Sequence, residues 1–274
     1  MSLTTTKKLH NGVEIPAVGL GVYKMEDGTD VYQSVLSALE IGYRHIDTAS
    51  FYQNEEGVGK AIKDSGIPRE EIFVTTKVWN DEQGYENTKN AFQASLDRLG
   101  LEYVDLYLVH WPVPGKYKET WKALEEFYKE GRAKAIGVSN FLPHHLEDLM
   151  EDAEITPMAN QIELHPRLTQ VETREFCDKH NIVVEAWSPI AKARYLDDPV
   201  LQELASKHNK TAAQIIIRWD YQSGIVTIPK SVKASRQKEN ADIFDFELSE
   251  EDMKKIDAMD REERTGPHPD EFSY

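Results

Sequence analysis

The sequence holds a single cysteine in 274 residues, so no intrachain disulfide can form. Cys177 sits in Thr173-Arg-Glu-Phe-Cys-Asp-Lys-His180, which reads as helix and offers nothing to activate it, so a structural thiol is expected. Long apolar runs are missing too. Nothing approaches the ~18 residues of a membrane span, and Met1 to His10 lacks the apolar stretch of a signal peptide, which makes a cytoplasmic location the expectation. Basic residues are in deficit, with 32 Lys and Arg against 48 Asp and Glu for a net charge of −16. That field repels phosphate backbones and anionic lipid, so neither nucleic acid nor a membrane is expected as a partner. Low-complexity tracts and Pro/Gly/Ser-rich linkers are also absent. With 40% hydrophobic residues the chain reads as one folded domain over 1–274, with a C-terminal extension from about 260.

What is present is an alternation. Short apolar runs occur at Ala17 to Tyr23, Tyr43 to Thr48, Ile72 to Val78, Val104 to His110, Ala133 to Ser139, Met158 to Leu164, Ile182 to Trp187 and Ile225 to Ile228. They are nearly continuous in apolar residues, as strands buried on both faces must be. Between them lie helical spacings such as Val31, Val35, Leu39 and Phe92, Leu96, Leu99 and Trp121, Leu124, Tyr128. Strand then helix, eight times, predicts a parallel α/β sheet, and the length suits a (β/α)₈ barrel of ~250 residues. Asn11-Gly12 predicts a type I′ hairpin ahead of the barrel. Pro199 to His208, Thr211 to Gln222 and Ser249 to Met259 read as helices added near the C-terminus.

Polar residues able to do chemistry recur at the C-terminal ends of these strands: Asp47, Lys77, His110, Ser139 and Asn140, Gln161, Ser188 and Lys230. A barrel brings that face together at one mouth. Lys77 stands out, because an ammonium between Ile72-Phe-Val74 and Val78-Trp79 is costly to bury without a partner. A consistent set of roles follows. Carbonyl reduction by hydride needs a proton for the developing alkoxide, and a phenol with a pKa of ~10 is sluggish near neutrality unless a cation stabilises its phenolate. Tyr52 supplies the phenol, Lys77 the cation and Asp47 the counter-charge, while the His110 imidazole can hydrogen-bond the substrate oxygen. A phosphate site is signalled separately. Lys230-Ser-Val-Lys-Ala-Ser-Arg-Gln-Lys238 carries four cations and no acid and opens a helix, where backbone N–H groups favour an anion; Arg236 can grip a phosphate bidentately and Lys230 as a point charge.

Gly42-Tyr-Arg-His-Ile-Asp-Thr-Ala49, Phe51-Tyr52-Gln-Asn-Glu55, Gly57-Val-Gly59, Thr76-Lys77-Val78-Trp79, Leu106-Tyr-Leu-Val-His-Trp-Pro112, Ile136-Gly-Val-Ser-Asn-Phe141 and Ile228-Pro-Lys-Ser-Val232 resemble the motifs of the aldo-keto reductase family, in order from about Lys8 to Phe272. The resemblance implies an NADPH-dependent carbonyl reductase with Tyr52 as proton donor, Asp47, Lys77 and His110 in support, and no metal. It implies that the segment after the eighth strand holds the adenosine 2′-phosphate, with Glu239 and Asn240 at the adenine. Ser139, Asn140 and Gln161 are placed by it at the nicotinamide carboxamide and Trp187 on the ring. Gly21, Val22, Tyr23, Ser188, Pro189, Ile190, Ile228, Lys230, Ser231, Val232 and Arg236 complete the implied cofactor contacts. Gly19-Leu-Gly21-Val-Tyr23 itself lacks the third glycine of a dinucleotide fingerprint.

One departure from the family pattern lies after Trp187-Ser-Pro189. A glycine is usual there, whereas this chain has Ile190-Ala-Lys-Ala193-Arg, with Lys192 or Arg194 as candidates to meet the pyrophosphate. Val22, Tyr23, Phe51, Trp79, His110 and Trp111 are the expected substrate wall. The resemblance to bacterial reductases of glyoxal, methylglyoxal and diketogluconate implies small aldehydes, α-dicarbonyls or keto sugars, and a monomer. Two other readings are a Schiff-base lyase using Lys77 or Lys230 and a non-catalytic NADP(H)-binding regulator. A metal hydrolase is disfavoured, because the strand ends offer no His-x-His pair or grouped carboxylates.

Overall fold

The computed structural model describes residues 1–274. Two short antiparallel strands, β1 (Thr6–Lys8) and β2 (Glu14–Pro16), precede the main sheet. The turn between them is not the expected two-residue type. Leu9 and Val13 close it by a backbone bond, and Gly12 alone has a positive φ, at 92°. Asn11 folds its side-chain oxygen onto the Val13 N–H at 3.2 Å, which favours a three-residue loop with glycine at the left-handed position.

Eight parallel strands follow in chain order: β3 (Leu20–Gly21), β4 (His45–Asp47), β5 (Phe73–Val78), β6 (Val104–Val109), β7 (Ala133–Ser139), β8 (Ala159–Glu163), β9 (Val183–Trp187) and β10 (Val226–Thr227). Each lies within one of the eight apolar runs. The first and last meet through a bridge between Val18 and Thr227, where Gly19 N–H donates to Thr227 O and Thr227 N–H donates to Ala17 O, both at 2.9 Å. That seam closes a (β/α)₈ barrel.

The helices α1 (Thr29–Ile41), α2 (Glu55–Asp64), α3 (Tyr85–Leu99), α4 (Tyr117–Lys129), α5 (Pro143–Asp152) and α6 (Val171–Lys179) each connect successive strands. Between β9 and β10 come α7 (Pro199–His208) and α8 (Ala212–Gln222), and after β10 come α9 (Ala234–Ala241) and α10 (Glu250–Asp257). Of the three segments expected as additions, α8 is instead the ordinary crossover, packed on β10 and α9, while α7 and α10 pack together outside the ring. Cys177 is buried in α6 and burial pushes its thiol up to about 11, so it is inert at neutral pH.

Glycine matters most where backbones approach closely. A Cβ on Gly21 would lie 2.8 Å from the Ile228 carbonyl oxygen, so the seam needs glycine there. In the loop after β9, Ala191, Lys192 and Ala193 have φ of 50°, 55° and 64°, one turn of left-handed backbone built without glycine.

Candidate active site

β4 and β5 pair in register with Asp47 opposite Thr75, which sets Asp47 and Lys77 side by side at the C-terminal end of the sheet. Both are buried. The Lys77 ammonium donates to Asp47 Oδ1 at 2.5 Å, to the Thr48 carbonyl at 2.9 Å and to Tyr52 Oη at 3.3 Å. All three of its protons therefore have acceptors, which makes its burial tolerable. Tyr52 reaches this point from a 3₁₀ turn, Ser50–Tyr52, directly after β4. Asp47 Oδ2 accepts from Gln161 Nε2 at 2.7 Å, so β8 braces the same carboxylate.

The electrostatics follow from the packing. Burial alone would lower the Lys77 pKa, but the Asp47 carboxylate, with Tyr52 adding to it, outweighs burial and holds the ammonium charged, above its ordinary value. Burial pushes the Tyr52 phenol up while Lys77 pulls it down; the net is upward, so the proton is present at neutral pH. Burial, then the Lys77 charge, takes His110 well below the ordinary histidine value, so the imidazole is neutral. Its Nδ1 is buried without a partner.

Aromatic rings frame this group. Phe51 and Trp79 stack with centroids 3.8 Å apart, Trp79 meets His110 edge-on at 5.1 Å, and Tyr23 tilts against Tyr52 at 5.0 Å. Trp111 stacks on Phe272 of the C-terminal segment at 4.4 Å, so the tail supplies a ring to the same wall. Val22 departs from expectation. Its side chain is fully buried in the core, and only its backbone faces neighbouring loops, accepting from Asn54 Nδ2 at 3.0 Å. Beside Phe51 and Trp79 lies an open cleft of about 500 Å³ whose charged lining is Asp27, Glu55, Glu56, Asp81, Glu82 and Arg98.

On the other side of the mouth, Ser139, Asn140, Gln161 and Trp187 form one network. Trp187 Nε1 donates to Asn140 Oδ1 at 2.8 Å, Asn140 Nδ2 donates to the His110 carbonyl at 3.0 Å, and Ser139 Oγ donates to the Gln161 carbonyl at 2.7 Å. Ser188, at φ 51°, turns the chain away through Pro189 and Ile190.

Across the seam, Lys230 reaches the Lys24 carbonyl at 3.4 Å, and partial burial and the Lys24 charge together lower its pKa. Ser231 Oγ accepts from Lys233 N–H at 3.2 Å at the start of α9. Val232 is exposed, Ile228 and Asn240 are buried, and Glu239 lends its backbone carbonyl to Gln214. Lys24, Lys230, Lys233, Arg236 and Lys238 form no ion pair with a carboxylate, although 18 Lys or Arg contacts of that kind occur elsewhere. Unneutralised cations beside a helix start are a donor set that fits a phosphate. Lys192, a candidate for the pyrophosphate, instead donates to the Thr265 carbonyl at 3.3 Å.

The aldo/keto reductase family profile matches residues 17–261. The chain belongs to the aldo/keto reductase family. It is 60% identical to the glyoxal reductase of Bacillus subtilis (strain 168) over 273 residues, covering 100% of this chain and 99% of that one. It is 46% identical to the methylglyoxal reductase DkgA of Escherichia coli (strain K12) over 276 residues, 99% of each. A crystal structure of a Gox0644 mutant in complex with NADPH superposes with a TM-score of 0.93 at 47% identity, covering 98% of this chain and 99% of that one.

In this aldo/keto reductase, two acids at the mouth escape a reading confined to the named strand-end positions. Glu185 lies within β9 in Val183-Val-Glu-Ala-Trp187, an acid in an apolar run and so the same signal that marks Lys77. Glu163 ends β8, fully buried. The fold also groups side chains that the strand ends did not show as grouped: His45, Asp47 and Glu185 converge, as do His144, His145 and Asp270. In the first group the Lys77 ammonium already serves Asp47 as its cation. In the second, His145 Nδ1 accepts from Leu142 N–H at 3.0 Å, so its Nε2 carries the proton and donates to Asp270.

Proposed function

We propose that this enzyme reduces small, uncharged aldehydes, α-dicarbonyls and keto sugars with NADPH, Tyr52 being the proton donor. The observation that carries the reading is the Lys77 ammonium, held between Asp47 at 2.5 Å and Tyr52 at 3.3 Å. NADPH supplies the hydride when bound. Residues 230–238 would hold its phosphate, and Trp187 with Asn140 and Gln161 its nicotinamide end. The rings of neutral His110 and protonated Tyr52 lie edge to face with centroids 5.9 Å apart, near enough for one carbonyl oxygen to accept from both. As negative charge grows on that oxygen, Tyr52 gives up its proton and Lys77 stabilises the phenolate left behind. Asp47 keeps Lys77 charged throughout, and Gln161 keeps Asp47 in place. The same ion pair disfavours imine formation at Lys77, since a lysine held protonated is not a nucleophile.

Small α-dicarbonyls are supported by the glyoxal and methylglyoxal reductases among the relatives, and uncharged ones by the cleft beside Phe51 and Trp79, whose lining carries five carboxylates against the one guanidinium of Arg98, which is paired with Glu55. An absorbance assay with NADPH and NADH against a panel of aldehydes, dicarbonyls and keto sugars tests the activity and the cofactor. In that assay Tyr52→Phe should lower kcat by about 10²–10⁴-fold while NADPH still binds. Near-normal turnover by that variant would show that the proton comes from elsewhere.

A further inference from the structure

Glu163 is a buried carboxylate with no lysine or arginine on it. Its Oε2 accepts from Thr265 N–H at 2.7 Å and from His165 Nε2 at 2.8 Å, and its Oε1 accepts from Gly266 N–H at 2.7 Å. Burial alone would raise its pKa, but these three bonds outweigh it and hold the carboxyl below the ordinary glutamate value. Two successive amides of the C-terminal segment are thus gripped by the two oxygens of one side chain. Only a carboxylate can do this, because the amide nitrogen of glutamine would face one of the N–H groups donor to donor.

The grip has a geometric consequence at the neighbouring strand. Glu163 on β8 is the register partner of Trp187 on β9. The segment it holds runs over the indole so closely that a Cβ on Gly266 would lie 2.6 Å from Trp187 Cη2, and 3.2 Å from Glu163 Oε1. Gly266 does not have a positive φ, so its backbone conformation suits any residue; closeness to the indole is what calls for glycine. The opposite edge of the same ring is tied down by the bond from Nε1 to Asn140. Trp187 is therefore held at both ends, by a side chain on β7's exit and by the tail.

We propose that Glu163 is a positioning residue for the cofactor: through the Thr265 and Gly266 amides it seats the tail against Trp187 and so fixes the plane that the nicotinamide stacks on. This rests on the reading of Trp187 as the stacking ring. The far end of the tail is anchored independently, by Asp270 on His144 and His145 at 3.0 and 3.1 Å and by Phe272 on Trp111. Disturbing Gly266 therefore shifts the indole without freeing the whole segment.

The test is a double-mutant cycle read as the NADPH dissociation constant, measured by fluorescence, alongside kcat and the KM of a small dicarbonyl. Gly266→Ala and Glu163→Gln should each weaken NADPH by about fivefold or more, and Gly266→Ala should have little effect in a Trp187→Phe background, where Cη2 is gone. KM for the carbonyl should stay near the parent value, a split that general loss of structure would not give. If Trp187→Phe alone leaves NADPH affinity unchanged, the stacking reading falls and takes this proposal with it. If Trp187→Phe weakens NADPH but Gly266→Ala costs the same in both backgrounds, or costs nothing, stacking stands and the positioning role is wrong. Gly266→Ala alters an ordinary backbone position, so it decides the matter even where Glu163→Gln fails to fold.

Discussion

Glu185 is fully buried, both its oxygens lack hydrogen-bond partners, and burial together with nearby Asp47 pushes its pKa up to about 8. Its folded-state value is raised above the unfolded one of ~4.3. The native state therefore holds this proton more tightly than the unfolded chain, and the stability so gained is intact below pH ~4.3 and lost as pH rises through about 8. Glu185→Gln keeps the shape and cannot ionise. Urea unfolding at pH 5, 7 and 9 should show the variant gaining on the parent by on the order of 4 kcal/mol across that range. Parallel pH profiles would mean that the carboxyl ionises freely in the native state. His45 faces the same carboxyl at 3.9 Å, and burial takes it down to about 4, so it offers no counter-charge near neutrality. At this scale the sequence was informative where chemistry contradicts surroundings. Lys77 is legible as a lone cation in an apolar strand, and the fold brings its ammonium to Asp47 and Tyr52. Glu163 was not legible, because its purpose depends on amides about a hundred residues away.

Among the elements, the eight barrel strands were readable because burial on both faces leaves an unbroken apolar run, which few other structures need. The loop after β9 was not. Ile190-Ala-Lys-Ala-Arg has the composition of a right-handed helix, yet Ala191, Lys192 and Ala193 wind left-handed between Ser188 and Arg194. The turn follows Ser188, itself at φ 51°, and Lys192 donates from within it to the Thr265 carbonyl. Each non-glycine residue in that region costs ~1–2 kcal/mol, part of which glycine would recover after its larger entropy loss. Ala193 is exposed, so Ala193→Gly loses no packing. It should stabilise the protein by about 1 kcal/mol, or raise Tm by roughly 2 °C, and calorimetry would read the change. A fall in Tm would show that the left-handed turn is not the solution conformation. The hairpin miss has a similar origin, since Asn11 turns its side chain to Val13 and to the Lys134 carbonyl instead of adopting a positive φ itself.

Over the whole molecule, a charge of −16 sets up a field against which the cations of residues 230–238 form a local exception. The cleft beside Phe51 and Trp79 shares that acidic sign, since Arg98 neutralises Glu55 and leaves Asp27, Glu56, Asp81 and Glu82 in its lining. At saturating NADPH, kcat/KM for neutral methylglyoxal should therefore exceed that for anionic pyruvate, and the ratio should narrow as salt shortens the Debye length from about 30 Å at 0.01 M to about 3 Å at 1 M. A ratio indifferent to salt would place discrimination in direct contacts instead of the field.

The junction of Val18 with Thr227 gives the cylinder one line of weakness, stitched by few backbone bonds. Gly21 stands on one flank of that line and Lys230 on the other. A dinucleotide gripping both would act as a hoop around a barrel, and the signature would be mechanical: amide protons of Gly19, Gly21 and Thr227 should exchange with heavy water more slowly once NADPH is added.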